Sequence, residues 1–191
     1  MGSDERIGDR FLRAGPAYGG SCFPKDTRAL IDTGKKFNTD LSIVKTVVKS
    51  NDKRRFLSIK RVEKILNNKL LNKTITFLGV TFKPNTDDMR EASSIPMIKY
   101  FNKKKCKIKY FDPSGQKKEF QNLKNVKYFN NINNACLNSD LIILHTEWND
   151  FKLLNFKKLV KKRNFKIYDM RNMYSPSKMK KLNINYFGIG R

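Results

Sequence analysis

Apolar residues recur at helical spacing in the first third of the chain, after an irregular, glycine-rich stretch over residues 1–23. Pro24 suits the first turn of a helix, and the pattern runs from there towards Gly34. A longer apolar stripe from Leu41 to Leu66 predicts a second, much longer helix. We expect a helix of this length, ahead of an α/β unit, to join two domains or to pair with a partner chain.

The pattern changes at Lys73 to short apolar strands that alternate with helices. Strands are predicted over residues 75–79, 107–111, 126–129, 140–145, 166–168 and 185–188, and helices over residues 93–102, 131–137 and 151–162. This rhythm predicts a mostly parallel, Rossmann-like sheet that carries ligands at the carboxyl ends of its strands. The turn after the first strand lacks a GxGxxG motif, so a complete dinucleotide site is not expected there. The expected fold is therefore α/β, with a helical segment over residues 1–72 and a sheet domain over residues 73–191.

The chain carries 41 Lys and Arg against 17 Asp and Glu, a formal net charge of +24. Because the lysines are spread along the whole sequence, we expect a solvated basic surface that attracts an anionic ligand. A nucleic-acid binder, the alternative, rests on charge alone. No apolar run approaches the roughly 18 residues of a membrane span, and residues 1–5 do not resemble a signal peptide. The expectation is a cytoplasmic protein with neither membrane nor nucleic acid as a partner.

The three cysteines have no CxxC spacing, so neither a zinc site nor a disulfide framework is expected. Cys106 and Cys136 lie in strand and helix patterns and are interpreted as buried thiols. Cys22 instead stands at the predicted start of a helix, with Lys25 within one turn, where the helix end and the cation favour a reactive thiolate. Asp26 lies about one turn further on and can position a water or accept a proton. From the residues alone, a small side chain packed before a capped helix remains the alternative.

Five motifs, in order, resemble those of UDP-glucose 6-dehydrogenases, a branch of the UDP-glucose/GDP-mannose dehydrogenase family. The first is FLRAG at residues 11–15 together with GGSCFPKD at residues 19–26, which resembles the active-site signature of the family. The others are Gly79 with FKPNTDDMRE at residues 82–91, YFDP at residues 110–113, TEWNDF at residues 146–151, and Asp169 with Arg171 and Asn172. The resemblance covers essentially the whole chain, and the SCFPKD phrase favours UDP-glucose over GDP-mannose or UDP-N-acetylmannosamine as the substrate.

The resemblance implies two successive NAD-dependent oxidations at C6 of UDP-glucose, which give UDP-glucuronate. It assigns Cys22 as the nucleophile that holds the aldehyde-level carbon as a thiohemiacetal and then as a thioester, with Asp26 assisting the hydrolysing water. Lys25 and Arg90 are the implied NAD contacts, and no metal is implied. The implied substrate contacts, the first of them in a neighbouring subunit, are Arg6, Phe11, Leu12, Arg13, Ala14, Gly15, Gly19, Lys83 and Arg171.

Several of these roles have a structural alternative that the residues leave open. Arg6 and Arg171 can be surface arginines. Lys83 and Arg90 flank an acidic loop and can pair within it. Asp26 can simply support the start of the helix.

Two departures from the pattern of the family change the expectation. Ala17 stands where members usually have glycine, so the loop is expected to shift if this position needs a positive φ. The NAD-binding domain of the family, and the helix that supplies its catalytic lysine and asparagine, have no counterpart in the sequence. We therefore expect the C-terminal part of the enzyme, which forms a homodimer through the long helix, with a separate NAD-binding chain as a candidate partner. The alternative is a UDP-sugar-binding or dimerisation module without oxidation chemistry. His145 and Trp148 are expected to be structural.

Overall fold

The structure is a computed structural model that describes residues 1–9 and 12–190. Two helices follow the glycine-rich stretch, α1 (Cys22–Lys36) and α2 (Ser42–Ile65). The long helix that the apolar stripe predicted is thereby confirmed. Gly34 lies inside α1 instead of ending it. The turn into α2 packs the Leu41 side chain closely against this glycine. A Cβ at Gly34 would lie 2.6 Å from a methyl carbon of Leu41.

The second part of the chain forms the predicted parallel sheet. Within the described residues the strand order is β3-β2-β1-β4-β5-β6, and each neighbouring pair is parallel. This is the doubly wound order of a Rossmann-type domain, in which the order reverses between β1 and β4. The strands are β1 (Thr74–Leu78), β2 (Lys107–Phe111), β3 (Val126–Tyr128), β4 (Leu141–Leu144), β5 (Lys166–Asp169) and β6 (Asn185–Gly188), and the helices between them are α3 (Ser94–Lys103), α4 (Ile132–Cys136), α5 (Phe156–Leu159) and α6 (Pro176–Lys181).

Alternate residues of the strands supply two apolar cores, one on each face of the sheet. Ile75 and Phe77 of β1 belong to the core that α2 and α3 cover. Leu78 belongs to the opposite core, with residues of α4, α5 and α6. Cys106 and Cys136 are buried and free, and burial raises the pKa of their thiols to about 11 and about 12 respectively. Both are thus inert packing residues, as their sequence patterns indicated.

The region between β4 and β5 differs from its prediction. The single helix predicted over residues 151–162 is wrong: a 3-10 turn (Asn149–Phe151) is followed by the four-residue helix α5. Asn155 explains the break, because its side chain accepts the backbone N–H of Lys158 at 3.2 Å and so starts a new helix. Helix α6 has no counterpart among the predicted elements, although Pro176 at its first turn is a typical start signal.

Helix α2 connects the two parts of the chain. Ile59, Val62 and Ile65 in its C-terminal half are buried against the sheet domain. Its N-terminal half carries exposed apolar residues, among them Ile43 and Val47. Of the described helices, none has the length and hydropathy needed to cross a bilayer.

Candidate functional site

A cavity of about 630 Å³ opens beside the carboxyl ends of the strands. The loops after β1, β4 and β5 line it, together with the segment that precedes α1; its lining includes Arg13, Ala14, Asn85, Glu147, Lys152 and Arg171. In doubly wound sheets, ligands bind at this edge, where the strand order reverses. The volume lies within the range of small-molecule sites, about 300–1,000 Å³. The cavity is therefore the candidate ligand site of the sheet domain.

Arg171 is fixed at the wall of this cavity. Its Nε donates to the carbonyl oxygen of His145 at 3.0 Å, and its Nη2 donates to the carbonyl oxygen of Phe82 at 3.1 Å. Its side chain is only 13% exposed, and this burial lowers the pKa of the guanidinium. Gly15 lies directly against it, since a Cβ on Gly15 would approach Nη1 to 3.0 Å. The surface-arginine alternative for Arg171 is thus wrong.

A buried hydrogen-bond network holds the backbone that receives Arg171. Ser93 Oγ lies 2.8 Å from His145 Nε2, and His145 Nδ1 lies 3.1 Å from Thr146 Oγ1. The Thr146 hydroxyl donates to the carbonyl oxygen of Thr81 at 2.6 Å, so Nδ1 carries the imidazole proton and Nε2 accepts from Ser93. Burial, together with the charge of Arg171, lowers the pKa of His145 to about 3. The imidazole is therefore a neutral structural group.

The place where a Rossmann sheet usually binds a pyrophosphate is filled by a side chain of the protein. The Asp112 carboxylate at the end of β2 accepts the backbone N–H of Val80 at 2.7 Å and that of Thr81 at 3.4 Å. The same carboxylate accepts the backbone N–H of Ser114 at 3.0 Å. Because these amides after β1 are already satisfied, this turn does not offer a dinucleotide site, as the absence of GxGxxG indicated.

Cys22 is the first residue of α1, and its thiol is exposed, unlike the two other free cysteines. Ser21 Oγ lies 3.6 Å from Cys22 Sγ, and Ser21 makes no side-chain cap bond to the helix. The first-turn amides and the positive end of the helix dipole therefore face the surroundings of the thiol. The predicted position of Cys22 at a helix start is confirmed.

The two glycines before Cys22 allow its loop to pack closely on the sheet domain. A Cβ on Gly19 would lie 2.6 Å from the carbonyl oxygen of Glu91. Gly20 has a φ of +85°, and a Cβ there would lie 2.8 Å from ring atoms of Phe82. Phe82 thus links the two halves of the site, because its ring contacts the cysteine loop while its carbonyl oxygen binds Arg171.

A second cavity, of about 550 Å³, lies at the start of α1 and is rich in cations. Lys25, Arg28 and Arg90 line it together with Ser21, the residue before Cys22. Lys25 also pairs with Asp26 at 2.7 Å, so Asp26 is engaged with this lysine in the present arrangement. Arg90 similarly pairs with its loop neighbour Asp88 at 2.8 Å. The cavity suits an anionic group beside the thiol.

The remaining predicted residues are scattered. Arg6 is 88% exposed and pairs with Asp4, so it does not reach the site of its own chain. Leu12 is exposed, and Lys83 lies over the Phe82 ring at 5.3 Å. Phe11 falls outside the described residues. Nowhere in the described ranges are three or more His, Cys, Asp or Glu side chains grouped to hold a metal ion.

Two residues that the sequence reasoning missed hold the cysteine loop. The side chain of Asn51 in α2 accepts the backbone N–H of Tyr18 at 2.8 Å and donates to the Tyr18 carbonyl oxygen at 3.2 Å. Glu91 binds arginines from both helices. Because the contact joins residues 33 apart in the sequence, no local pattern pointed to Asn51. Ala17 does not have a positive φ, so the condition under which we expected the loop to shift is not met.

The fold and these cavities define a Rossmann-type α/β protein with an exposed cysteine at a helix start, and comparison with known proteins narrows this class. The model of the UDP-glucose/GDP-mannose dehydrogenase family, UDP binding domain, matches residues 76–176, and that of the central domain of the same family matches residues 1–53. The first of these matches alone covers more than half of the chain. The chain therefore belongs to the UDP-glucose/GDP-mannose dehydrogenase family.

Curated relatives agree with this assignment. The UDP-glucose 6-dehydrogenase of Rickettsia felis is 38% identical over the whole chain, which covers 43% of that protein. The UDP-glucose 6-dehydrogenase YwqF of Bacillus subtilis is 37% identical, with 44% of its length covered. The chain thus spans less than half the length of these relatives.

Solved structures confirm the fold. A UDP-glucose dehydrogenase from Pyrobaculum islandicum superposes with a TM-score of 0.81 and 28% identity, over 98% of this chain and 41% of that one. An NDP-N-acetyl-D-galactosaminuronic acid dehydrogenase from Methanosarcina mazei gives a TM-score of 0.78 at 25% identity, over 93% of this chain and 39% of that one. The Rossmann-like sheet and the helices ahead of it are therefore shared with nucleotide-sugar dehydrogenases.

Proposed function

We propose that this chain is the catalytic-cysteine and UDP-sugar-binding part of a UDP-glucose 6-dehydrogenase, which oxidises UDP-glucose to UDP-glucuronate. One observation carries the proposal: the loop that precedes the exposed thiol and Arg171 of the cavity at the carboxyl edge of the sheet both contact Phe82. Its ring supports the Gly20 turn before Cys22, and its carbonyl oxygen fixes Arg171. A nucleotide sugar bound in the cavity can therefore present its sugar to the thiol.

The cavity provides the groups that a UDP moiety requires. Arg13, Lys152 and Arg171 supply positive charge for a diphosphate, and Arg171 is held rigidly enough to fix its direction. Ala14 and Gly15 offer backbone that a ligand can approach closely, and a small residue at position 15 is required by the contact with Arg171. Lys83, exposed on the neighbouring loop, reaches the substrate from the same side in this proposal.

The thiol of Cys22 acts as the nucleophile. The first oxidation removes a hydride and a proton from the C6 alcohol and gives the aldehyde. The thiolate of Cys22 adds to the aldehyde carbon, and protonation of the resulting oxygen gives a thiohemiacetal. Loss of the hydroxyl proton and of a second hydride from that carbon gives a thioester. Asp26 then orients a water, which hydrolyses the thioester to the carboxylate and returns the thiol. When bound, NAD⁺ accepts the hydrides of the two oxidations.

The chain contributes to an NAD site without forming one on its own sheet. Lys25, Arg28 and Arg90 line the cavity next to Cys22 and suit the phosphates of a dinucleotide. The amides after β1 are taken by Asp112, so the dinucleotide has to be held mainly by a further domain or chain. In the same proposal, Arg6 enters the substrate site of a second copy, and the two copies pair through α2.

A module that binds UDP-sugars or forms dimers without oxidation chemistry is the alternative. Both candidates predict UDP binding, so calorimetric titration of the chain with UDP tests their common basis. We expect saturable binding of UDP, weak or no binding of ADP, and loss of at least about tenfold in affinity for Arg171→Ala, as removal of a hydrogen-bonded charge implies. Lys161→Ala, outside the cavity, is the control and should bind like the parent. Equal binding of ADP and UDP, or unchanged binding by Arg171→Ala, would remove the support for the site.

A further inference from the structure

Glu91 has an unusual backbone conformation next to the cysteine loop. Its φ is +54°, in the left-handed region that residues other than glycine seldom adopt. This conformation directs its carbonyl oxygen at Gly19, where an added Cβ would lie only 2.6 Å away. Backbone of this kind persists where the surrounding contacts fix it. The contacts of Glu91 therefore hold this backbone conformation in place.

The side chain of Glu91 connects three separate elements. Its Oε1 accepts from Arg28 of α1 at 3.1 Å, and its Oε2 accepts from Arg55 of α2 at 2.8 Å. Arg55 also donates to the Glu91 carbonyl oxygen, at 3.3 Å. The hydrogen bonds from Arg28 and Arg55 lower the pKa of the carboxyl group. Charge-assisted bonds of this type are among the strong ones in proteins, so both helices are joined to the loop after β1.

The same loop also holds the turn before Cys22 and carries one of the cations near it. The Arg90 carbonyl oxygen accepts the backbone N–H of Gly20 at 2.8 Å, two residues before the thiol. Arg90 and Lys25 both line the cavity at the start of α1, yet one lies on the loop and the other on the helix. Because Lys25 shares α1 with Cys22, it is the position of Arg90 relative to the thiol that depends on how the loop and the helix are held together.

We propose that Glu91 is a positioning residue for Cys22. Its carboxylate clamps α1, through Arg28, and α2, through Arg55, onto the loop after β1. The backbone of that loop holds the Gly20 turn, so that Arg90 remains at the cavity beside the thiol. The inference rests on the proposed function, in which this thiol is the nucleophile, and it assigns to Glu91 no contact with the substrate.

Alkylation of Cys22 by iodoacetamide tests the clamp without any nucleotide. Cys106 and Cys136 are buried, and mass spectrometry of the peptides assigns the modified residue. In Glu91→Gln we expect the alkylation rate near neutral pH to fall about two- to fivefold, the size of effect that one positioned charge near a helix end has. Glu63→Gln is the matched control, because it removes a carboxylate that accepts from Tyr100 at 2.6 Å instead. It should alkylate like the parent even if it melts earlier.

An unchanged or faster alkylation of Glu91→Gln, with the native fold retained, would overturn the proposal. If that variant does not fold, Arg55→Lys replaces it: the cation stays, but the paired donation to Glu91 is lost, and an unchanged rate overturns the proposal equally. A parallel UDP titration separates the two hypotheses. Slower alkylation of the variant in a chain that does not bind UDP supports the clamp and rejects the proposed function. Unchanged alkylation of the variant in a chain that binds UDP rejects the clamp and supports the proposed function.

Discussion

The sheet domain and the helical segment of this chain bury their apolar residues to very different extents. Phe77 and Ile143 in the central strands are fully buried, because helices cover both faces of the sheet. On α1, on α2 and at the turn between them, by contrast, large apolar side chains are exposed: Phe23, Leu30, Phe37, Ile43, Val47, Phe56 and Leu57. The sheet completes its core within the chain, whereas the helices present apolar surface of the kind that marks an interaction site.

This difference in burial separates the two parts of the candidate site, because the cavity depends on the sheet and the thiol depends on the helices. The ligand cavity is built on strand ends that the core fixes, but the thiol is carried by a helix with much less support. Asn51, Glu91 and Arg55 are among the residues whose contacts join this helix region to the rest of the chain. Pairing of two copies through α2, as proposed above, would cover the apolar face and support the cysteine loop further.

The largest expected effect is loss of core volume in the sheet. Phe77→Ala should lower the free energy of unfolding by about 3–5 kcal/mol, because it leaves a cavity that the surrounding side chains fill only in part. Phe56→Ala on α2, where the ring is 66% exposed, should change it by less than about 0.5 kcal/mol. Urea denaturation followed by circular dichroism measures both. Similar losses for the two variants would break the contrast between the regions.

Acid should weaken the sheet domain through its one histidine. In the unfolded chain, His145 takes up a proton as the pH falls through about 6.5. In the folded chain it stays neutral down to a pKa of about 3. Acidification therefore stabilises the unfolded state, and we expect a loss of about 2 kcal/mol between pH 7.5 and pH 5. Denaturation curves at the two pH values measure it.

The control for this pH dependence is His145→Gln, which has no proton to gain in that interval. Its stability should be lower than that of the parent at pH 7.5 but nearly independent of pH down to pH 5. The same slope in parent and variant would assign the acid sensitivity to other groups.

A smaller effect is expected for the support of the cysteine loop. Asn51→Ala removes both hydrogen bonds to the Tyr18 backbone and should cost about 1–2 kcal/mol in unfolding free energy. Asn133→Ala, at an exposed position of α4, should remain within about 0.5 kcal/mol of the parent. Thermal denaturation compares the two, and equal costs would mean that Asn51 does not hold the loop.

The smallest effect on the fold itself is expected at the apolar face of α2. Ile43→Glu, at a residue that is 79% exposed, should leave the unfolding free energy of the single chain within about 0.5 kcal/mol. Sedimentation should nevertheless show a dimer for the parent and a monomer for the variant, because the charge enters the proposed interface. A monomeric parent at high concentration would contradict pairing through α2.

Much of the fold could be predicted because buried parallel strands have near-continuous apolar sequences. The predicted strand over residues 107–111 coincides with β2, and β1 and β4 differ from their predictions only at the ends. The break before α5 was missed because the apolar spacing continues across Asn155, whose capping role depends on local geometry. Ordinary propensity reasoning does not resolve such competition.

The site was predictable only in part, for a related reason. The loop around Cys22 is contiguous in sequence, so its glycines and cations could be identified together. Glu91 could not be, because its partners Arg28 and Arg55 lie 63 and 36 residues away. The buried state of Arg171 likewise follows from contacts to Phe82 and His145 that only the fold brings together.

The most direct test of the account is NADH formation from UDP-glucose and NAD⁺ by this chain mixed with the NAD-binding domain of a relative such as YwqF. We predict activity in the mixture and a loss of at least about a thousandfold for Cys22→Ser, as removal of a covalent nucleophile causes, while that variant still binds UDP. Undiminished activity of Cys22→Ser, or UDP binding by a folded mixture without any NADH formation, would contradict the assignment of Cys22 as the catalytic nucleophile.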